Sequence, residues 1–127
     1  LYPFLKAQPK FLFEYGQCLS KTGQYEEGIR ILTEGTRLSA DPMFYNIMGK
    51  DAEALKHFGQ AEACFKQASY MVPHRLYPLY LLAKMYFESG QSEKGRDMAR
   101  QVIQKEPKVM SDAVKEMKAE LEERLKP

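Results

Sequence analysis

Two thiols, two imidazoles and two adjacent pairs of carboxylates are the groups in this 127-residue chain whose chemistry could go beyond packing. A Cys-x-x-Cys pair, or Cys and His at ligand intervals, would hold a metal ion. Cys18 and Cys64 fall far apart in neither arrangement and read as ordinary helix residues with free thiols. His57 and His74 have no Cys or carboxylate at a ligand interval and read as exposed turn residues. Glu26-Glu27 and Glu122-Glu123 are neighbours in sequence only. Successive helical residues diverge by about 100°, so they read as solvated faces rather than an acid and base pair. No Gly-rich phosphate loop, nucleophile elbow or His-Glu-x-x-His helix is present. The chain is thus expected to have no catalytic residue, no metal and no cofactor, which leaves binding as its chemistry.

The elements that would position a binding surface are set by an internal repeat of about 34 residues, the signature of a solenoid of helix pairs. Gly16, Gly23, Gly28 and Leu32 keep the same spacing as Gly49, Lys56, Ala61 and Phe65, and as Ala83, Gly90, Gly95 and Ala99. In the first helix of each unit, large residues form one stripe: Leu12, Tyr15 and Leu19; Tyr45, Met48 and Ala52; Leu79, Leu82 and Tyr86. The eighth place is always small, as Gly16, Gly49 and Ala83, because the second helix must approach closely there.

These residues resemble the tetratricopeptide repeat (TPR) family, whose small residues stand at the eighth, twentieth and twenty-seventh places and whose repeats close on Pro. Gly28, Ala61 and Gly95 fill the twentieth place; Gly35, Ala68 and Val102 fill the twenty-seventh; Pro73 and Pro107 close repeats two and three, while Ala40 ends repeat one. The resemblance implies an all-α fold: three helix-turn-helix repeats in a right-handed superhelix, at 9–41, 42–75 and 76–109, with a capping helix in 110–127. Residues 1–8 read as the end of a preceding segment. Helices are expected at 10–22, 25–38, 43–55, 59–71, 77–89, 92–105 and 111–125. The turn of repeat two departs from the family, reading Lys56-His57-Phe58-Gly59 where Gly and a polar residue are usual. Placing Gly59 at the turn would throw Ala61, Phe65, Ala68 and Pro73 out of phase, so Lys56 is kept there. The last helix opens on Ser111-Asp112, a good cap, and spaces Ala113, Met117, Leu121 and Leu125 four apart. At the other end Leu1, Tyr2, Phe4 and Leu5 would be poorly covered without further protein.

The same resemblance implies a concave groove lined by the second, fifth, ninth and twelfth places of each first helix. These are Lys10, Phe13, Gln17 and Ser20; Met43, Asn46, Lys50 and Glu53; Tyr77, Tyr80, Lys84 and Phe87. Rings among Lys and amide groups suit an extended peptide or a partner helix, since rings give rigid area and amides satisfy a backbone. The expected binding residues are Phe13, Gln17, Asn46, Lys50, Tyr77, Tyr80, Lys84 and Phe87. Packing of Phe13, Tyr77 and Tyr80 within the stack is the alternative. The charged clamp some family members use for an acidic carboxyl-terminal peptide is absent, since Phe13, Gln17, Ile47, Tyr77 and Leu81 hold its places.

Composition fits one small domain: 44% of the residues are hydrophobic and the formal charge of +2 is too low to imply nucleic acid or an anionic membrane. No apolar run reaches the roughly 18 to 20 residues that cross a bilayer. With Leu1 in place of an initiating Met, the chain is expected to be a piece of a longer protein. A narrower resemblance bears on what that protein is. Residues 11–32, 68–90 and 107–122, and above all the run from Ser69 to Tyr80, are similar to the carboxyl-terminal region of bacterial O-antigen ligase or polymerase-like membrane proteins. That resemblance implies an inner-membrane parent in surface glycan assembly, and carries over no catalytic residue. Three readings follow: a module that recruits a protein or peptide; a passive cap or self-association element; and a domain that stacks glycan on its aromatic rings.

Overall fold

The computed structural model describes residues 8–107 and 110–127, and every regular element among them is a helix. The helices are α1 (Pro9–Lys21), α2 (Tyr25–Thr36), α3 (Met43–Ala54), α4 (Phe58–Met71), α5 (Tyr77–Glu88), α6 (Ser92–Gln104) and α7 (Asp112–Leu125). Each lies within two residues of its expected bounds. The apolar residues ahead of Gln8 lie outside the described residues.

Each pair is closed by the same device. Gln24, His57 and Gln91 donate their amides across the turn to the carbonyls of Leu19, Ala52 and Tyr86, each at 2.8 Å, while Gly23, Lys56 and Gly90 donate three residues back. This double bond needs a left-handed residue at the turn. Gly23 and Gly90 adopt φ +82° and +80° without steric cost; Lys56 adopts φ +62° with a side chain in place. The register that keeps Lys56 at the turn is therefore the one the chain adopts, at about 1 kcal/mol of backbone strain.

The small positions mark where helices approach most closely. A Cβ on Gly16 would lie 2.5 Å from Leu32, on Gly49 2.5 Å from Phe65, and on Gly35 2.2 Å from Phe44. Leu32, Phe65 and Phe44 are almost wholly buried in the space so made. The core runs along the stack, and between the middle and third repeats it is filled by Phe65, Leu82, Met85 and Tyr86.

Helix α7 stands where the first helix of a fourth unit would stand, packed on α6 and α5. Leu121 is fully buried among Leu76, Ala83, Ala99 and Val102. Ser111 accepts from the Val114 amide at 3.2 Å, which caps the start as expected. Lys118 donates to the carbonyls of Ile103 and Lys105 at 3.0 and 2.8 Å, satisfying the open end of α6. The apolar stripe differs by one position from the expected one: Val114 packs inward with Met117 and Leu125, whereas Ala113 is exposed. Tyr15 likewise leaves its expected stripe, being 36% exposed and stacked on Phe11 at 5.7 Å.

Candidate interaction groove

Between successive first helices lie three depressions that run into one another. The first, about 320 Å³, is lined by Gln17, Ser20 and Lys21 of α1 and by Ile47, Lys50, Asp51 and Ala54 of α3. The second, about 580 Å³, has Lys50, Glu53 and Ala54 on one wall and Tyr77, Tyr80, Leu81, Lys84 and Glu88 of α5 on the other. The third, about 570 Å³, lies between Tyr77 and Tyr80 and the α7 residues Ala113, Glu116, Met117 and Glu120. Lys50 and Ala54 join the first to the second, and Tyr77 and Tyr80 join the second to the third. The residues come together because places four or seven apart on a helix share a face.

Five of the eight expected binding residues, Gln17, Lys50, Tyr77, Tyr80 and Lys84, line this groove. Two others have different work. Phe13 meets Phe44 edge-on, with ring centroids 5.2 Å apart, and packs on the cluster of Leu32 and Met48. Phe87 lies over Gly95, where a Cβ would come within 3.0 Å, and under the Arg124 guanidinium at 5.3 Å, so it secures α6 and α7 to α5. The eighth, Asn46, is only 2% exposed. It borders an adjoining hollow of about 340 Å³ with Asp41, Met43, Val72, Arg75, Tyr77 and Pro78. Its Oδ1 has no hydrogen-bond partner among the described residues, and its Nδ2 has the thioether of Met43 at 3.5 Å.

The walls of the groove differ in how their charges are matched. On the α5 and α7 side, Tyr80 donates its hydroxyl to Glu120, and the Lys84 ammonium lies 3.5 Å from the same carboxylate. Lys84 also donates to the Tyr80 oxygen at 3.1 Å and sits 4.9 Å from that ring's centroid. The Tyr80 bond and Lys84 hold the Glu120 carboxyl below its ordinary range. Arg124 pairs with Glu88 at 3.6 Å. Across the groove on α3, Glu53 is half-buried, and among the described residues no hydrogen bond or ion pair holds its carboxylate. Burial, and then the Glu88 charge, push its carboxyl above the usual range, against the weaker pull of Lys84 and Lys50.

A second carboxylate was not foreseen. Asp51, at the tenth place, is 2% exposed and accepts from Ser20 at 2.8 Å between repeats one and two. Burial pushes its carboxyl up to about 6, opposed by the Ser20 bond and by Lys50. Gly28 makes room for it, since a Cβ there would lie 3.0 Å from its oxygen. Burial and the Asp51 charge together raise the Cys64 thiol to about 11, which removes it as a nucleophile at neutral pH. Cys18 is exposed on α1. Among the described residues no three of His, Cys, Asp and Glu gather as metal ligands.

Comparison with known families agrees with this architecture. Two tetratricopeptide repeat models match, one over residues 9–42 and one over 79–108. The chain is built of tetratricopeptide repeats. Neither match reaches residues 43–78, the repeat whose turn carries Lys56, yet that repeat closes as its neighbours do. Among solved structures, the first TPR of Spaghetti (RPAP3), bound to the HSP90 peptide SRMEEVD, superposes with a TM-score of 0.73 at 19% identity, over 93% of this chain and 95% of that one. The CopN-Scc3 complex gives 0.77 at 16% identity, over 93% and 69%. MamA gives 0.71 at 18% identity, over 96% and 82%. These likenesses show the fold. No curated protein matches the sequence. Among the described residues, no helix is long and apolar enough to cross a membrane.

Proposed function

We propose that this TPR domain is a non-catalytic module that holds a protein or peptide in its concave groove. The observation that carries the reading is the continuity of the groove past three first helices, with stacked Tyr77 and Tyr80, 6.2 Å apart, beside Lys50, Lys84 and Glu53. Rings supply rigid contact area and the charged groups supply register. The neighbouring structures that hold a peptide or a protein partner support it as examples of the fold's use.

Ala54 is exposed and lies where two of the depressions meet, so Ala54→Arg fills the groove without entering the core. Capture from a bacterial membrane extract should retain a partner on the parent domain and lose it on Ala54→Arg at equal helical circular dichroism. Equal capture by both, or none by either, would turn the reading toward a passive cap.

The finer reading is that the domain is carried by an O-antigen ligase or polymerase-like protein of a bacterial inner membrane, where it positions a partner during surface glycan assembly. It rests on the similarity of residues 11–32, 68–90 and 107–122 described above. The full coding sequence decides it: several apolar spans upstream support the reading, and a coding sequence without them overturns it.

A further inference from the structure

We infer that Asp51 is a proton switch at the seam between repeats one and two: with a proton on its carboxyl, α1 and α2 are docked tightly on α3, and loss of that proton loosens them. The inference stands on the geometry of one hydroxyl and does not depend on what the groove holds. Ser20 Oγ lies 2.8 Å from Asp51 Oδ2 and 3.0 Å from the Gly16 carbonyl oxygen of its own helix. A hydroxyl carries one hydrogen and two lone pairs, so an ionised Asp51 and the Gly16 carbonyl compete for that hydrogen. A protonated Asp51 ends the competition. It donates to Ser20, and Ser20 donates to Gly16, in one chain that crosses the seam.

The fold shuts water out of this chain. Asp51 is 2% exposed. Helix α2 is pressed over it at Gly28, where a Cβ would lie 3.0 Å from both Asp51 Oδ2 and Ser20 Oγ and 3.4 Å from the Gly16 oxygen. An ionised carboxylate left there with a shared hydrogen is relieved by parting the helices and admitting water. The charged and titratable neighbours do not replace that water. Lys21 of α1, Tyr25 of α2 and Lys50 of α3 share the first depression with Asp51, and among the described residues α5 adds nothing to its lining. Lys50 favours the ionised form, but more weakly than burial opposes it. Cys64 of α4 stays a neutral thiol, held so by its own burial and by the Asp51 charge. The carboxyl is raised in the fold, so the docking it supports is complete below the ordinary value near 4 and is lost as pH rises through about 6.

The test is amide hydrogen exchange of the whole domain at pH 5 and pH 7.5, corrected for intrinsic rates, with the Asp51 carboxyl followed by carbon-13 NMR. Asp51→Asn and Ser20→Ala are measured beside the parent. The carboxyl should titrate near pH 6. Protection of α1 and α2 should fall about tenfold between the two pH values, the linkage expected of a group that regains a pKa near 4 when the seam opens. At pH 7.5 these amides should be less protected than the best-protected ones of α5 and α6, because repeat one opens by itself. Asp51→Asn, which cannot ionise, should remove the tenfold change. Ser20→Ala should raise the carboxyl's midpoint, since the ionised form loses its charge-assisted bond. An Asp51 midpoint near 4, equal protection of repeat one and α5 at pH 7.5, or a tenfold change that survives Asp51→Asn would each overturn the inference. The parent's carboxyl titration and exchange decide it even where a variant fails to fold.

Discussion

The two halves of the groove on either side of α5 are built from similar residues but are used differently. Toward α7, Tyr80, Lys84, Glu88 and Phe87 are engaged by Glu120 and Arg124, so the capping helix has become the partner of that wall. Toward α3, Asn46 Oδ1 has no hydrogen-bond partner among the described residues, and Glu53 feels Lys84 and Lys50 without a hydrogen bond to either. A surface whose charges are already matched gains little from a ligand, whereas unmatched acceptors reward one. The lesson is that lining residues do not by themselves mark a binding site; the state of their partners does.

The comparison breaks most visibly at Leu121. Leu121→Ala should cost about 3 kcal/mol by opening a cavity under α7, read by urea denaturation. Loss of that helix's grip should change the affinity of a display-selected decapeptide less than about twofold under folding conditions, if the α3 side holds it.

A sharper contrast is chemical. Ala54→Arg should lower the affinity of a display-selected decapeptide about tenfold or more, while Glu120→Gln should change it less than about twofold, both by fluorescence anisotropy.

Legibility followed the same divide. Helix bounds, the turn at Lys56 and the close approaches at Gly16, Gly28 and Gly49 were written in a 34-residue rhythm, because local spacing dictates them. Gln17, Lys50, Tyr77, Tyr80 and Lys84 were placed in the groove by the family resemblance that this rhythm supports. What it could not carry is pairing between distant segments. Glu120 reaches Tyr80 from forty residues away, and only the docking of α7 decides that. Phe87 sits at a groove place but turns to cover Gly95, whose lack of a side chain leaves the space. Ala113 and Val114 differ by one step of 100°, and only the packing on Leu76 and Val102 chooses between them. Asp51 gave a faint signal, a charged residue beside Ala52 in a buried stretch, with Ser20 as a possible donor one repeat earlier.

The buried Asp51 extends the comparison to the amino-terminal side of the groove. Its folded pKa, about 6, lies above the ordinary value, so the fold favours its protonated form. The stability it contributes is full below the unfolded pKa near 4 and is lost as pH rises through about 6. Asp51→Asn, which keeps the acceptor for Ser20, should be about 1 kcal/mol more stable than the parent at pH 7.5 and nearly equal to it at pH 4. Thermal melts at the two pH values check this.

The smallest expected effect lies at the middle turn. Lys56→Gly should raise stability by about 0.7 kcal/mol, because glycine occupies φ +62° without strain but loses more chain entropy on folding. The mirror change, Gly23→Ala at φ +82°, should lower it by a similar amount, and equal melting of all three would remove the strain argument.

The most direct test of the central claim is a backbone amide chemical-shift titration of the labelled domain with a decapeptide selected on it by display. Shifts concentrated at residues 46–54 and 77–84, with α7 little changed, are the predicted result. Shifts confined to α7, or to the opposite helices α2, α4 and α6, would contradict an open α3–α5 groove.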